Sequence, residues 1–246
     1  MKADPSAQVK LLELQELDAK TDQLAHRRAH LPEIPDLVAL QASRARLVDV
    51  ARDARIEVAD LTAEQQKIDA DVEQVKARRA RDQQKMDAGS VSPKDLERIQ
   101  HEVVSLERRI SSLEDDELEV MGRLEEAQGR LDHVEQELEG TERRAAELRE
   151  SRDATWAEID GETADVAGTR AWAAEDVPAD LLKVYDRVRA QRGGVGAALL
   201  RQRQCTGCRL GIDNLELARI AALPADEVVR CEECTRILVR TDESGL

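Results

Sequence analysis

Phenylalanine is absent from this chain of 246 residues, while tyrosine occurs once and tryptophan twice. A globular core for that length normally buries many aromatic rings, so one large compact core is excluded. No run of about 18 apolar residues occurs, which argues against a membrane-spanning helix. The opening "MKADPSAQVK" lacks the apolar stretch of a secretory signal. An excess of positive charge is missing as well. The formal net charge of -15 disfavours duplex nucleic acid and anionic membranes as partners of the whole molecule. Cysteine does not occur before residue 205. The expected location is the cytoplasm, where thiols stay reduced and paired cysteines serve metals or catalysis rather than disulfides.

What is present is charged helix. Leu40, Leu47, Ala54, Leu61, Ile68 and Val75 repeat every seven residues, and Leu37, Ala51, Val58 and Val72 fill the matching heptad position, interrupted by Arg44 and Gln65. A second apolar register begins at Leu96 and Ile99 and continues through Val103, Leu106, Ile110 and Leu113 to Leu148. Narrow stripes of this kind must be buried against another helix.

Between the stripes lies "MDAGSVSPKDLE". Gly89 suits a left-handed C-cap, Ser92 an N-cap, Pro93 the first helical position and Asp95 the third. A short reversal near 87–93 makes the two helices antiparallel neighbours. With that reversal as the axis, Val72 is expected opposite Leu106, and Val75 opposite Val103. Upstream, "LPEIPDL" sets two prolines three residues apart and breaks the ascending arm near 32–35. The descending helix is expected to last until about 165. His26 and His30 are read as a solvated face, and Trp156 and Trp172 as packing anchors where the helices meet the C-terminal domain.

After Pro178 the pattern changes. "ADLLKVYDRVRAQRGG" reads as a short amphipathic helix, "VGAALLRQRQ" and "EVVRCEECTRILVRT" as strands, and "NLELARIAAL" as a helix between them. The two C-x2-C pairs, Cys205 with Cys208 and Cys231 with Cys234, each lie at the end of a candidate strand. Tetrahedral zinc takes four thiolates, and each knuckle delivers two from one turn. The spacing therefore predicts one structural Zn2+ with no open position for catalysis. A thioredoxin-like redox pair is the competing reading, but "CTGCRLGIDN" continues into a Gly-containing turn rather than a long helix.

Arg192, Arg201, Arg203 and Arg209 lie around the first knuckle with no acid between Val195 and Leu210, and Arg236 joins them as a candidate partner-binding residue. Such a surface grips phosphates or an acidic protein. The expected architecture is mainly α: an elongated antiparallel coiled-coil hairpin over 1–177, followed by a small four-cysteine zinc ribbon over 178–246.

The order of "SPKDLERIQHEV", "LLKVYDRVRAQRGGVGAALL", "CTGCRLGI" and "CEECTRIL" resembles the bacterial C4-type zinc ribbon proteins that carry a long N-terminal coiled-coil hairpin. The resemblance implies a closed zinc site at Cys205, Cys208, Cys231 and Cys234 and a non-enzymatic binding role. In flagellated bacteria it implies links to flagellar gene expression, through mRNA or an alternative sigma factor, or to secretion-system components. One departure is that relatives often carry CPxCG at the second knuckle, where this chain has Glu232 and Thr235.

The expected function is an adaptor whose helical arm presents a ribbon to protein or RNA, with no membrane and no small-molecule substrate. The alternative is a transcription-complex modulator that inserts the hairpin tip, with Asp82, Asp87 and Asp95 near it, into RNA polymerase.

Overall fold

A computed structural model describes residues 1–89 and 91–246; Ser90, inside the expected reversal, lies outside the described residues. Helices α1 (Pro5–Ala29), α2 (Glu33–Asp87) and α3 (Pro93–Glu175) are followed by α4 (Ala179–Gln191), strands β1 (Ala197–Arg201) and β2 (Gln204–Cys205), helix α5 (Asn214–Ala222), and strands β3 (Val229–Arg230) and β4 (Ile237–Val239). The chain divides into two units, Pro35–Arg149 and the combination of Met1–Ile34 with Glu150–Leu246.

In Pro35–Arg149, α2 and α3 form a helical hairpin. Gly89 adopts a left-handed φ of 64°. At the start of α3 the Asp95 amide donates to Ser92 Oγ (3.3 Å), whose hydroxyl donates back to the Asp95 carboxylate (2.7 Å), so the expected caps are in place. Leu61, Val72, Ile110, Leu113 and Val120 are buried in the seam. Arg44, which interrupts the apolar register, turns outward to Glu142 at 2.7 Å.

The register differs from the expected one by a heptad. Ion pairs join Arg55 to Glu135, Lys76 to Glu114, Glu64 to Arg123 and Glu57 to Arg130. Flanking pairs at these positions set Val72 opposite Leu113 rather than Leu106. A shift of seven residues keeps every apolar position on the seam, so the hydrophobic stripe alone does not choose between the two registers. The charges on either side of it do.

The second unit surrounds the cysteines. The expected boundary at 178 does not coincide with the division of the chain, because α1 and the end of α3 belong to the ribbon's core. Ala7, Leu11 and Leu14 of α1 pack with Ala173, Val177, Leu181 and Tyr185, and with Ala197, Ile237 and Val239 of the sheet. The sheet order is β2-β1-β4-β3, with β1 and β4 parallel and the outer pairs antiparallel. Residues before α1 extend it: the Ala3 amide donates to Asp226 O at 2.8 Å, and the Val228 amide to Met1 O at 2.9 Å.

A buried carboxylate ties these helices together. Asp18 receives Arg170 Nε at 2.6 Å and the Tyr185 hydroxyl at 2.6 Å, and lies 3.2 Å from Arg189 Nε. Burial, followed by this bond, raises the Tyr185 phenol well above its ordinary pKa, so it stays a donor. Asp18 falls on the stripe set by Ala7, Leu11 and Leu14, the one signal in the sequence that marked it.

Three expectations about the helices change in detail. Helix α2 begins at Glu33, inside the break expected near 32–35, because Pro35 sits in its first turn, where an amide has no partner within the helix. Helix α3 continues to Glu175. Trp156 is an anchor, donating from Nε1 to Arg28 O at 3.1 Å between the guanidinium groups of Arg28 and Arg152, but it holds α1 to α3. Trp172 is 62% exposed, with Lys10 Nζ of α1 over its ring at 5.6 Å from the centroid, and is not packed into a core. His26 and His30 stack on each other at 4.0 Å.

Candidate metal centre

The first knuckle follows β2, and the second joins β3 to β4. Both are wound in the same way. The Arg209 amide donates to Cys205 O at 2.7 Å and the Cys205 amide to Leu210 O at 3.1 Å; the Thr235 amide donates to Cys231 O at 2.8 Å and the Cys231 amide to Arg236 O at 3.0 Å. Each turn closes through a residue with positive φ, Arg209 at 64° and Thr235 at 61°. Gly207 is required for another reason: a Cβ there would stand 2.8 Å from Arg236 Cδ and 2.9 Å from Ala198 Cβ.

The two knuckles face each other. All four cysteine sulfurs lie within 4.8 Å of one another. Cys205 Sγ is 3.8 Å from Cys234 Sγ, and Cys208 Sγ is 3.8 Å from Cys231 Sγ. Four thiolates held about 2.3 Å from a central zinc make a tetrahedron with edges of about 3.8 Å. The residues therefore fit one structural Zn2+. Four protein ligands leave no position for water or substrate, so the metal's contribution is to the fold.

Electrostatics agree with that role. Burial pushes the Cys231 thiol up to about 12 and raises Cys205 as well. Burial also acts upward on Cys234, but the backbone amide of Arg236 and nearby side-chain donors outweigh it and bring that thiol below its ordinary value. Thiolates in so enclosed a place need a cation beside them. Around them Ala198, Leu200, Leu217, Ile220, Val229 and Leu238 form an apolar shell.

The arginines expected around the knuckles take different places. Arg201 and Arg209 line one shallow hollow with Gln202, Gln204, Cys205 and Thr206, although Arg201 also pairs with Glu243 at 3.0 Å. Arg203 donates to Asn214 Oδ1. Arg192 donates from Nε to Thr235 Oγ1 at 3.0 Å. Arg236 is committed to the backbone, donating to Val195 O, Gly207 O and Arg192 O. The sequence reading missed the support that α1 gives the ribbon. Gln15 Oε1 accepts the Gly196 amide at 2.7 Å, while its Nε2 donates to Gly194 O at 2.9 Å.

Comparison with known proteins agrees with this arrangement. Residues 14–193 match the model of the CT398-like coiled coil hairpin domain, and residues 204–238 that of the C4-type zinc ribbon domain. A Mycobacterium tuberculosis protein, Rv2229c, is 36% identical over 242 residues, covering 98% of each chain. A solved structure from Mycobacterium smegmatis superimposes with a TM-score of 0.85 at 36% identity, covering 98% of this chain and 100% of that one. CT398 from Chlamydia trachomatis shares the fold, with a TM-score of 0.68 at 18% identity over 95% of this chain and 97% of its own.

Proposed function

The chain belongs to the CT398-like coiled coil hairpin family, and from that footing we propose that it is a non-enzymatic cytoplasmic adaptor whose helical arm presents the zinc ribbon to a protein or RNA partner. The observation that carries this reading is a metal centre closed by four thiols beside the basic hollow of Arg201 and Arg209. A closed centre offers rigidity and no chemistry, and a basic hollow on a rigid knuckle offers recognition. Among the described residues, no helix is long and apolar enough to cross a membrane.

The hairpin tip is the weaker candidate for the contact. Asp82 is buried and pairs with Lys85 at 2.8 Å, Asp87 accepts from Gln83, and Asp95 is engaged by Ser92 and Arg98. These acids are spent locally. The deciding experiment is affinity capture from cells, with bound RNA sequenced and bound proteins identified together. Replacing Arg201, Arg203 and Arg209 by Ala is expected to abolish capture, and replacing Asp87 and Asp95 by Asn to preserve it. The opposite pattern would refute the ribbon-centred reading.

A further inference from the structure

Beside the second knuckle the ribbon carries a recess of ≈ 90 Å³, formed by the loop 210–213, Glu216 and Ile220 of α5, Leu238 of β4 and the knuckle itself. Its floor is apolar, with Ile220 and Leu238 fully buried, and its wall includes Leu210, which is 50% exposed. An adjoining hollow shares Glu216 and Glu232 and is edged by Leu215, which is 83% exposed. Isolated surface leucines are ordinary, but here one lines an apolar-floored recess and another edges the hollow next to it.

The rim is acidic. Two of its carboxylates are already engaged: Asp213 caps α5 by accepting the Glu216 amide, and Glu216 is paired with Arg219. Glu232 and Glu233 make no ion pair among the described residues, and they stand on the knuckle that carries Cys231 and Cys234. A zinc bound by four thiolates is itself about two charges negative, which deepens the local field. Phosphates are repelled from such a rim. Nor is it a cation site, since the only cluster of metal-ligating side chains among the described residues is that of the four cysteines. Acid around an apolar recess is complementary to a chain segment that carries both a cation and an aliphatic anchor.

We propose that this recess docks a basic segment of a partner protein, with one aliphatic side chain seated over Leu210 and Ile212 and flanking Lys or Arg residues meeting Glu232 and Glu233. This goes beyond the adaptor reading and rests on it: the recess is a second face of the ribbon, receiving a basic segment apart from whatever the hollow of Arg201 and Arg209 captures.

The test uses the zinc-loaded full chain, labelled with 15N and titrated with an acetylated peptide of alternating leucine and arginine pairs, LRRLRR, and with its acidic counterpart LEELEE. The proposal expects saturable shifts confined to residues 210–216 and 230–233 with the basic peptide, and none with the acidic one. Glu232→Lys with Glu233→Lys is expected to weaken binding by about tenfold or more, and Leu215→Ser by about threefold, in line with the loss of one exposed aliphatic contact. The same charge change on the arm, Glu125→Lys with Glu126→Lys, is expected to alter it by less than about twofold. Shifts spread along α2 and α3, equal losses from both charge reversals, or no saturable binding would each overturn the proposal. Such a failure leaves the adaptor reading standing wherever the arginine variant still loses its captured partner, so the two are separable.

Discussion

Arg209 and Thr235 occupy the same place in two separate turns. Each follows the second cysteine of its knuckle, donates its amide to the carbonyl of the first, and does so in the left-handed region, at φ 64° and 61°. Neither side chain suits that conformation, and a β-branched residue suits it least. The two turns hold the four sulfurs at tetrahedral spacing, so the strain lies directly beneath the metal centre.

Relieving that strain should stabilise the ribbon. Arg209→Gly is expected to raise the stability of the zinc-loaded chain by about 1 kcal/mol. Thr235→Gly should gain less, because it also removes the bond from Arg192 Nε to Thr235 Oγ1. Thermal unfolding followed at a ribbon signal, with zinc in constant excess, reads both; a loss of stability in Arg209→Gly would contradict the argument.

Asp18 should be among the most sensitive positions outside the metal site. Asp18→Ala leaves Arg170, Arg189 and the Tyr185 hydroxyl without their shared acceptor, at an expected cost of about 3–5 kcal/mol. Tyr185→Phe removes one bond to a charged acceptor and should cost about 1.5–3 kcal/mol. Denaturant unfolding of the two variants and their combination checks this. The combined loss should fall short of the sum, since both changes empty one network.

Gly196 is fixed by its neighbour. A Cβ there would stand 2.7 Å from both the Tyr185 carbonyl oxygen and Cδ2, and backbone cannot yield cheaply. Gly196→Ala is expected to cost about 1–3 kcal/mol. Gly211→Ala, with nothing within 4 Å of the added carbon, serves as the near-neutral control in the same unfolding measurement.

The helical register can be read by crosslinking. Val72→Cys with Leu113→Cys should form a disulfide under mild oxidation of the zinc-loaded chain, and Val72→Cys with Leu106→Cys should not. A shift in gel mobility in the second variant but not the first would restore the register centred on Gly89.

Much of this molecule was legible in its sequence, because its two strongest signals are local. The heptads from Leu40 to Val75 announce a helix that needs a partner, and "GSVSP" announces where it turns back. Two C-x2-C pairs fix the metal chemistry by ligand count alone. What stayed hidden is long-range. Nothing near Cys205 indicates that Leu11, Gln15 and Asp18 will stand against the ribbon, because those contacts join residues more than 160 positions apart. The register was hidden for a different reason: the apolar stripe repeats identically after seven residues, and the flanking ion pairs of Arg55 with Glu135, Lys76 with Glu114, Glu64 with Arg123 and Glu57 with Arg130 break the tie. Among the arginines, composition gave the basic surface, but the fold decided that Arg236 would serve three carbonyls while Arg209 remained exposed.

The central claim is that Cys205, Cys208, Cys231 and Cys234 close the coordination of one structural zinc. X-ray absorption at the zinc edge on the purified full chain tests it most directly. The account predicts one zinc per chain with four sulfur neighbours at about 2.3 Å and no lighter atom in the shell. Three or fewer sulfurs completed by an oxygen or nitrogen would contradict it, because an open position would return the site to chemistry.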